Sequence, residues 1–310
     1  MRCIIMGGGG FIGSHLAEIL LTEGDDVKIF DRPDARYLEY SRRQGANIII
    51  GDFFNPDDIR GAIQNCDVVY HLVSVTVPQT SNENPYYDIE ANVLGTLRLL
   101  DEMRKAEIKK IVFASSGGTV YGIPQEVPIK EGHMTEPTSS YGICKLTIEK
   151  YLHLYWKLYG VDYRVLRIAN AYGERQAITK TQGAISAFLD RVLQQGEITV
   201  WGDGTIMRDY IYASDIAKAF RSAAMYEGEE KIYNIGSGRG YSLNDIINII
   251  KNIIQGSSVR VKYMPGRSFD VPINVLDISR AKTNLNWQPT VGLFEGISRT
   301  YEWMLKEQKK

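Results

Sequence analysis

The chain predicts an α/β protein built on a doubly wound parallel sheet, and three observations carry that prediction. Short apolar runs recur as candidate strands at 3–6, 27–30, 48–50, 68–72 and 111–114. Amphipathic helical stretches separate them, so consecutive strands can lie parallel. The first strand runs directly into Gly7-Gly8-Gly9-Gly10-Phe11-Ile12-Gly13, and a helix follows in which Ile12, Leu16, Ile19 and Leu20 share one face. A strand, a glycine turn and a helix in that order form a cradle for a pyrophosphate: glycine lets the backbone approach closely, and the helix start offers open N–H groups. An ordinary strand–helix turn has the same local pattern, so the remainder of the chain must decide between the two.

Composition narrows the field. The 310 residues are 44% hydrophobic and 24% charged with a formal net charge of −1, which suits one large domain or two unequal ones. Near-neutrality argues against general nucleic-acid binding. There is no 18-residue apolar run, so no membrane span is expected, and the first strand begins too early to leave room for a leader. Cys3, Cys66 and Cys144 are scattered without metal-ligand spacing. They suggest reduced thiols, a cytoplasmic protein and no bound metal.

The second strand ends at Asp31, 18 residues beyond Gly13, close to the distance expected of a carboxylate that binds an adenosine ribose. A free 2′-hydroxyl suits Asp31 and favours NAD, while the adjacent Arg32 leaves NADP open. After the third strand, Asp52 and Phe53 can hold an adenine amino group and cover its ring, or Asp52 can cap the helix around Asp57 to Ile63. His71, inside the fourth strand, reads as structural, with Leu72 at its end. Asn92 lies in a helix expected from Tyr86 to Lys105, where it needs a local polar partner or a cofactor. The fifth strand opens into Ser115-Ser116-Gly117-Gly118-Thr119-Val120-Tyr121-Gly122, at the strand ends where ligands of such sheets bind.

Tyr141 and Lys145 stand four residues apart, one helical turn, near the start of a helix reaching about Leu158. A cation about 4 Å away in an effective dielectric near 20 contributes about 4 kcal/mol to an ionised phenol. With a positive nicotinamide added, that would bring a tyrosine from about 10 toward about 7, where a general base works best. An incidental pair on a solvated helix face is the alternative.

In this order the motifs resemble the extended short-chain dehydrogenase/reductase family, and within it the NAD-dependent nucleotide-sugar epimerases. The likeness spans nearly the whole chain. It takes in the glycine loop, Asp31, Gly51-Asp52, His71-Leu72, Asn92, the Ser115–Gly122 run and Tyr141-x-x-x-Lys145. It continues through Arg167–Gly173, Gly202-Asp203-Gly204, Arg208-Asp209-Tyr210, Tyr233–Gly236 and Arg267–Val271. The resemblance implies a Rossmann-type domain at 1–169 plus about 209–236, and a smaller α/β substrate domain at about 170–208 plus 237–310. It places Gly7, Gly10, Phe11, Ile12 and Gly13 at the pyrophosphate, and Asn92, Ser115 and Lys145 along the nicotinamide side. Asn170, Gln182, Arg208, Tyr210, Arg267 and Asp270 fall where the family holds a nucleoside diphosphate. Surface ion pairs with Asp209 or Asp270 are the alternative for the two arginines.

Two departures stand out. Met6 replaces the family's threonine before the glycines, a small change where backbone does the binding. The family's catalytic Ser or Thr falls at Gly117, leaving Thr119 or Ser116 to donate to the substrate hydroxyl. A lost donor costs about 2.7–4 kcal/mol by analogy with oxyanion holes. The family's dehydratases and decarboxylases carry an acid at the Thr119 position, and this chain has none. The implied activity is therefore inversion of position 4 of a UDP-hexose. Asn274 stands where a bulky tyrosine excludes N-acetyl groups, and its smaller size admits them. A keto-sugar reductase and a non-catalytic dinucleotide sensor are the alternatives. Helices at 92–105 and 146–158 match the family's homodimer face.

Overall fold

A computed structural model describes residues 1–177, 183–254, 259–266 and 271–308. Seven parallel strands form the main sheet in the spatial order β3-β2-β1-β4-β5-β6-β10. They are β1 (Arg2–Met6), β2 (Asp26–Asp31), β3 (Asn47–Ile50), β4 (Val68–His71), β5 (Lys110–Ser116), β6 (Asp162–Ile168) and β10 (Ile232–Ile235). The order reverses between β1 and β4, which creates the crevice where such sheets take ligands. Register aligns the carboxyl ends: Met6 lies opposite Phe30 and His71, His71 opposite Phe113, and Ser116 opposite Ile168. Gly7, Asp31, Leu72 and Ser116 therefore share one edge.

Alternation along each strand builds two apolar layers. Ile5, Val27, Val112 and Leu166 pack on one face with Leu16, Leu20 and Phe220, and Ile4, Phe30, Val69 and Phe113 pack on the other with Ile59, Ile148 and Leu152. Gly160, at a positive φ of 70°, closes the helix Ser140–Tyr159, and the Ser139 side chain caps its start by accepting from Gly142 N.

A second sheet holds β7 (Asn170–Tyr172), β9 (Met207–Tyr212), β11 (Gly240–Ser242) and β13 (Ile273–Asn274), and β8 (Glu197–Trp201) pairs with β12 (Arg260–Met264). Its own core gathers Tyr172, Leu189, Val200, Ile246, Ile250 and Ile297. The stretch 209–236 is thus divided. Asp209–Tyr212 pairs in the small sheet, whereas Phe220 of the helix Ala213–Met225 packs on the main sheet and β10 extends it. Asp209 explains the placement: it is fully buried and accepts from the N–H groups of Ser237, Gly238 and Leu276. The expected helix from Tyr86 to Lys105 is broken in form. A π-helix, Ile89–Leu94, joins the short helix Pro85–Asp88 to the helix Gly95–Lys105. Among the described residues no helix is long and apolar enough to cross a membrane, and no cluster of side chains suits a metal ion.

Candidate active site

The glycine loop is built for close backbone approach. A Cβ on Gly13 would stand 2.4 Å from the Gly7 carbonyl oxygen, and one on Gly7, at φ +86°, would stand 3.0 Å from Val73 N. No side chain caps the helix Phe11–Thr22, so the N–H groups of Phe11, Ile12 and Gly13 are open to an anion. Asp31 accepts from Gly9 N and Arg32 N, each at 2.9 Å, which fixes its carboxylate at the end of β2. Burial pushes Asp31 up while those two N–H groups pull it down. Arg32 is turned outward to Asp34 at 3.0 Å. Leu72 N donates to Met6 O and closes the crevice floor. This arrangement fits a dinucleotide, with Gly7, Gly10, Phe11, Ile12 and Gly13 to hold its pyrophosphate and Asp31 its ribose.

Asp52 and Phe53 part company. Asp52 is exposed and accepts from Phe54 N, while Asn55, not Asp52, caps the helix Pro56–Ile63. The Phe53 ring is buried against His71, centroids 5.4 Å apart, and beneath Gly95. The ring is therefore spent in the core, not held open as a cover at the strand end. His71 is structural as expected: buried, bonded to Thr96 Oγ1 at 2.8 Å, and pushed down to about 3 by burial. Asn92 spends its amide within the protein, donating to Asp88 and Thr76 and accepting from Val75 N. Ser115 likewise donates to Glu149 at 2.6 Å, and Glu149 pairs with buried Arg167 at 2.6 Å.

Tyr141 and Lys145 lie together at the start of their helix. The Lys145 ammonium donates to the Ala114 carbonyl at 2.9 Å and stands 5.4 Å from the centre of the Tyr141 ring. Burial governs both groups. It pushes the Tyr141 phenol up to about 12, opposed by the Ser74 hydroxyl beside it. It pulls Lys145 down to about 8, opposed by Asp88. The value near 7 is expected of Lys145 and a cationic nicotinamide acting together; in the protein alone, desolvation of the phenolate dominates.

The 115–122 loop settles the geometry around Gly117. Gly117 is buried, and a Cβ there would be 2.5 Å from Leu276 Cδ1 and 3.0 Å from the Arg167 carbonyl. Asn274 is buried behind it and donates to the Gly117 carbonyl at 3.2 Å. The Thr119 hydroxyl is buried without a hydrogen-bond partner. Ser116 ends β5 half-buried at the carboxyl edge.

Across from this edge a cavity of about 250 Å³ opens in the small sheet, and Asn170, Arg208 and Tyr210 line it. Phe188, Thr199, Trp201 and Leu243 also line it. The alternation of Thr199 and Trp201 with buried Ile198 and Val200 is the signal that would have found them. Asp209, its carboxylate spent on backbone N–H groups, is no ion-pair partner for Arg208. Gln182, Arg267 and Asp270 lie outside the described residues.

Comparison with known proteins identifies the family. A family model described as "NAD dependent epimerase/dehydratase family" matches residues 3–236. A protein of Methanocaldococcus jannaschii, provisionally named a UDP-glucose 4-epimerase, is 39% identical over 309 residues, covering 97% of each chain. The crystal structure of UDP-glucose 4-epimerase from Thermotoga maritima with UDP-glucose has a TM-score of 0.93 at 33% identity, covering 99% of this chain and 100% of that one. The Thermus thermophilus UDP-glucose 4-epimerase in complex with NAD has a TM-score of 0.90 at 32% identity, covering 98% and 99%. With the glycine cradle, Asp31 and the Tyr141–Lys145 turn in place, the chain belongs to the NAD-dependent epimerase/dehydratase family.

Proposed function

We propose that the protein is an NAD-dependent epimerase that inverts position 4 of a UDP-hexose through a transient 4-keto sugar. The observation that carries this is the meeting, at one sheet edge, of a backbone cradle at Gly7–Gly13 and the turn that carries half-buried Tyr141 and buried Lys145. The bound NAD supplies a reversible hydride store at the reacting carbon. Tyr141 removes the proton of the 4-hydroxyl and returns it after the sugar has turned over. Its phenol, raised by burial, reaches a working value only beside a cationic ring, so base strength is coupled to the oxidised cofactor. Ser116 donates a hydrogen bond to the sugar oxygen. Arg208 and Tyr210 hold the diphosphate and Trp201 the base, with Arg267 assigned to the diphosphate on sequence grounds. Asp52 serves the adenine amino group.

The substrates are UDP-glucose and UDP-galactose, and the small Asn274 supports the N-acetylated forms as well. The chain acts as a homodimer in this reading. Ile143, Leu154 and Leu158 form an exposed apolar stripe on the helix Ser140–Tyr159, beside exposed Ile89 and Leu94. Purified protein incubated with UDP-, dTDP- and GDP-hexoses, without added cofactor, should yield the 4-epimer of the UDP sugars by NMR. Stoichiometric consumption of NADH or NADPH instead would make it a reductase.

A further inference from the structure

Asp88 ends the helix Pro85–Asp88 and is fully buried. Its side chain accepts from Thr76 Oγ1, from Asn92 Nδ2 at 2.8 Å, from Ser140 Oγ at 2.6 Å and from Cys144 Sγ at 3.3 Å. All four partners are uncharged, and among the described residues no cation pairs with this carboxylate. Burying one without a bonded cation is costly. Ser140 and Cys144 immediately precede Tyr141 and Lys145, so one side chain grips the turn that carries both. Through Thr76 it also holds the loop whose Ser74 hydroxyl meets the Tyr141 phenol.

The charges around Lys145 single out the same residue. On its own helix are Tyr141, Cys144 and Glu149, from β4 comes His71, and from β5 the Ala114 carbonyl and the Phe113 ring. Glu149 is matched by Arg167 at 2.6 Å. His71 is held neutral, and burial pushes the Cys144 thiol up to about 12, so it is neutral too. Among these groups Asp88 is the negative charge with no bonded cation of its own.

We propose that Asp88 is a positioning residue: it locks the Tyr141–Lys145 turn against the Ser74 loop and sets a negative charge beside the Lys145 ammonium. The proposal rests on the assignment of Tyr141 as base, and its test separates the two. In the NAD-loaded enzyme, the Lys145 side-chain signal in 13C-lysine NMR, assigned with Lys145→Arg, is titrated in the parent and in Asp88→Asn. The midpoint should fall by about one pH unit, and the alkaline limb of kcat should move with it while KM holds. An unmoved midpoint in folded Asp88→Asn overturns the electrostatic role. The double variant Ser140→Ala/Cys144→Ala keeps the charge but releases the grip. It should lose roughly ten- to a hundredfold in kcat with the limb in place, and an unchanged kcat overturns the positioning role. If Asp88→Asn does not fold, the double variant decides the positioning role on its own. The NMR midpoint needs no turnover, so an inactive parent whose midpoint still shifts would sink the epimerase reading while upholding the coupling of Asp88 to Lys145.

Discussion

At the Gly7–Gly13 loop the protein works with backbone, whereas at the Tyr141 helix it works with side chains held away from water. The loop needs only the absence of Cβ atoms and an uncapped helix start, so it is indifferent to Met6 beside it. The helix depends on its surroundings. The same burial that surrounds Tyr141 and Lys145 drives their proton affinities apart, the phenol up and the ammonium down. A backbone site is complete when the chain folds, while a side-chain site of this kind is completed by the charge of what binds there.

Five variants press on that contrast. Tyr141→Phe removes the proton acceptor and leaves the loop untouched, so kcat should fall by about 10²–10⁴-fold with NAD affinity retained, as read from steady-state kinetics and calorimetry. Loss of NAD binding in this variant would mean that the two ends are not separable. Ser116→Ala should lower kcat by about 10²–10³-fold. Thr119→Val, which deletes a buried hydroxyl with no partner, should leave turnover intact and gain about 1 kcal/mol of stability. The reverse pattern would hand the donor role to Thr119.

Gly13→Ala drives a methyl into the Gly7 carbonyl, with an overpacking cost of about 1–3 kcal/mol. NAD affinity and Tm should drop together, and unaltered binding would show that close backbone approach is not what the loop provides. The smallest effect concerns Lys145. Its folded value of about 8 lies below the ordinary 10.5, so between those pH values the unfolded chain holds a proton that the folded chain lacks. Stability therefore rises with pH across that window, and the cost of burying the ammonium is complete below pH 8. Lys145→Met should raise Tm most below pH 8, by the equivalent of about 1–3 kcal/mol, and less as pH approaches 10.5. A gain that does not vary with pH would point to packing alone.

What could be read from the sequence divides along the same line. The glycine spacing, Asp31 and the four-residue step from Tyr141 to Lys145 are local, and each sits at the sheet edge where it was expected. The inward turn of Phe53 depends on a gap between His71 and Gly95, which belong to other elements. The burial of the Thr119 hydroxyl, set against the half-buried Ser116, is a tertiary outcome that no spacing along the loop shows. Asp88 was missed because its four donors come from three separate segments, and no spacing along the chain announces them. The π-helix escaped notice for a related reason: its apolar pattern still reads as one continuous helix.

Leu276 fills the space that a side chain at position 117 would need, its Cδ1 standing 2.5 Å from where that Cβ would be. The two positions lie far apart in the chain yet share one volume, which gives them a common evolutionary fate. A lineage that restores a hydroxyl at 117 must first shrink the residue at 276 and ease the loop away from the Arg167 carbonyl. A lineage that keeps leucine at 276 holds glycine at 117 and must leave hydrogen-bond donation to another residue of the loop. Among relatives, a small residue at 276 should accompany serine or threonine at 117, and a large one should accompany glycine.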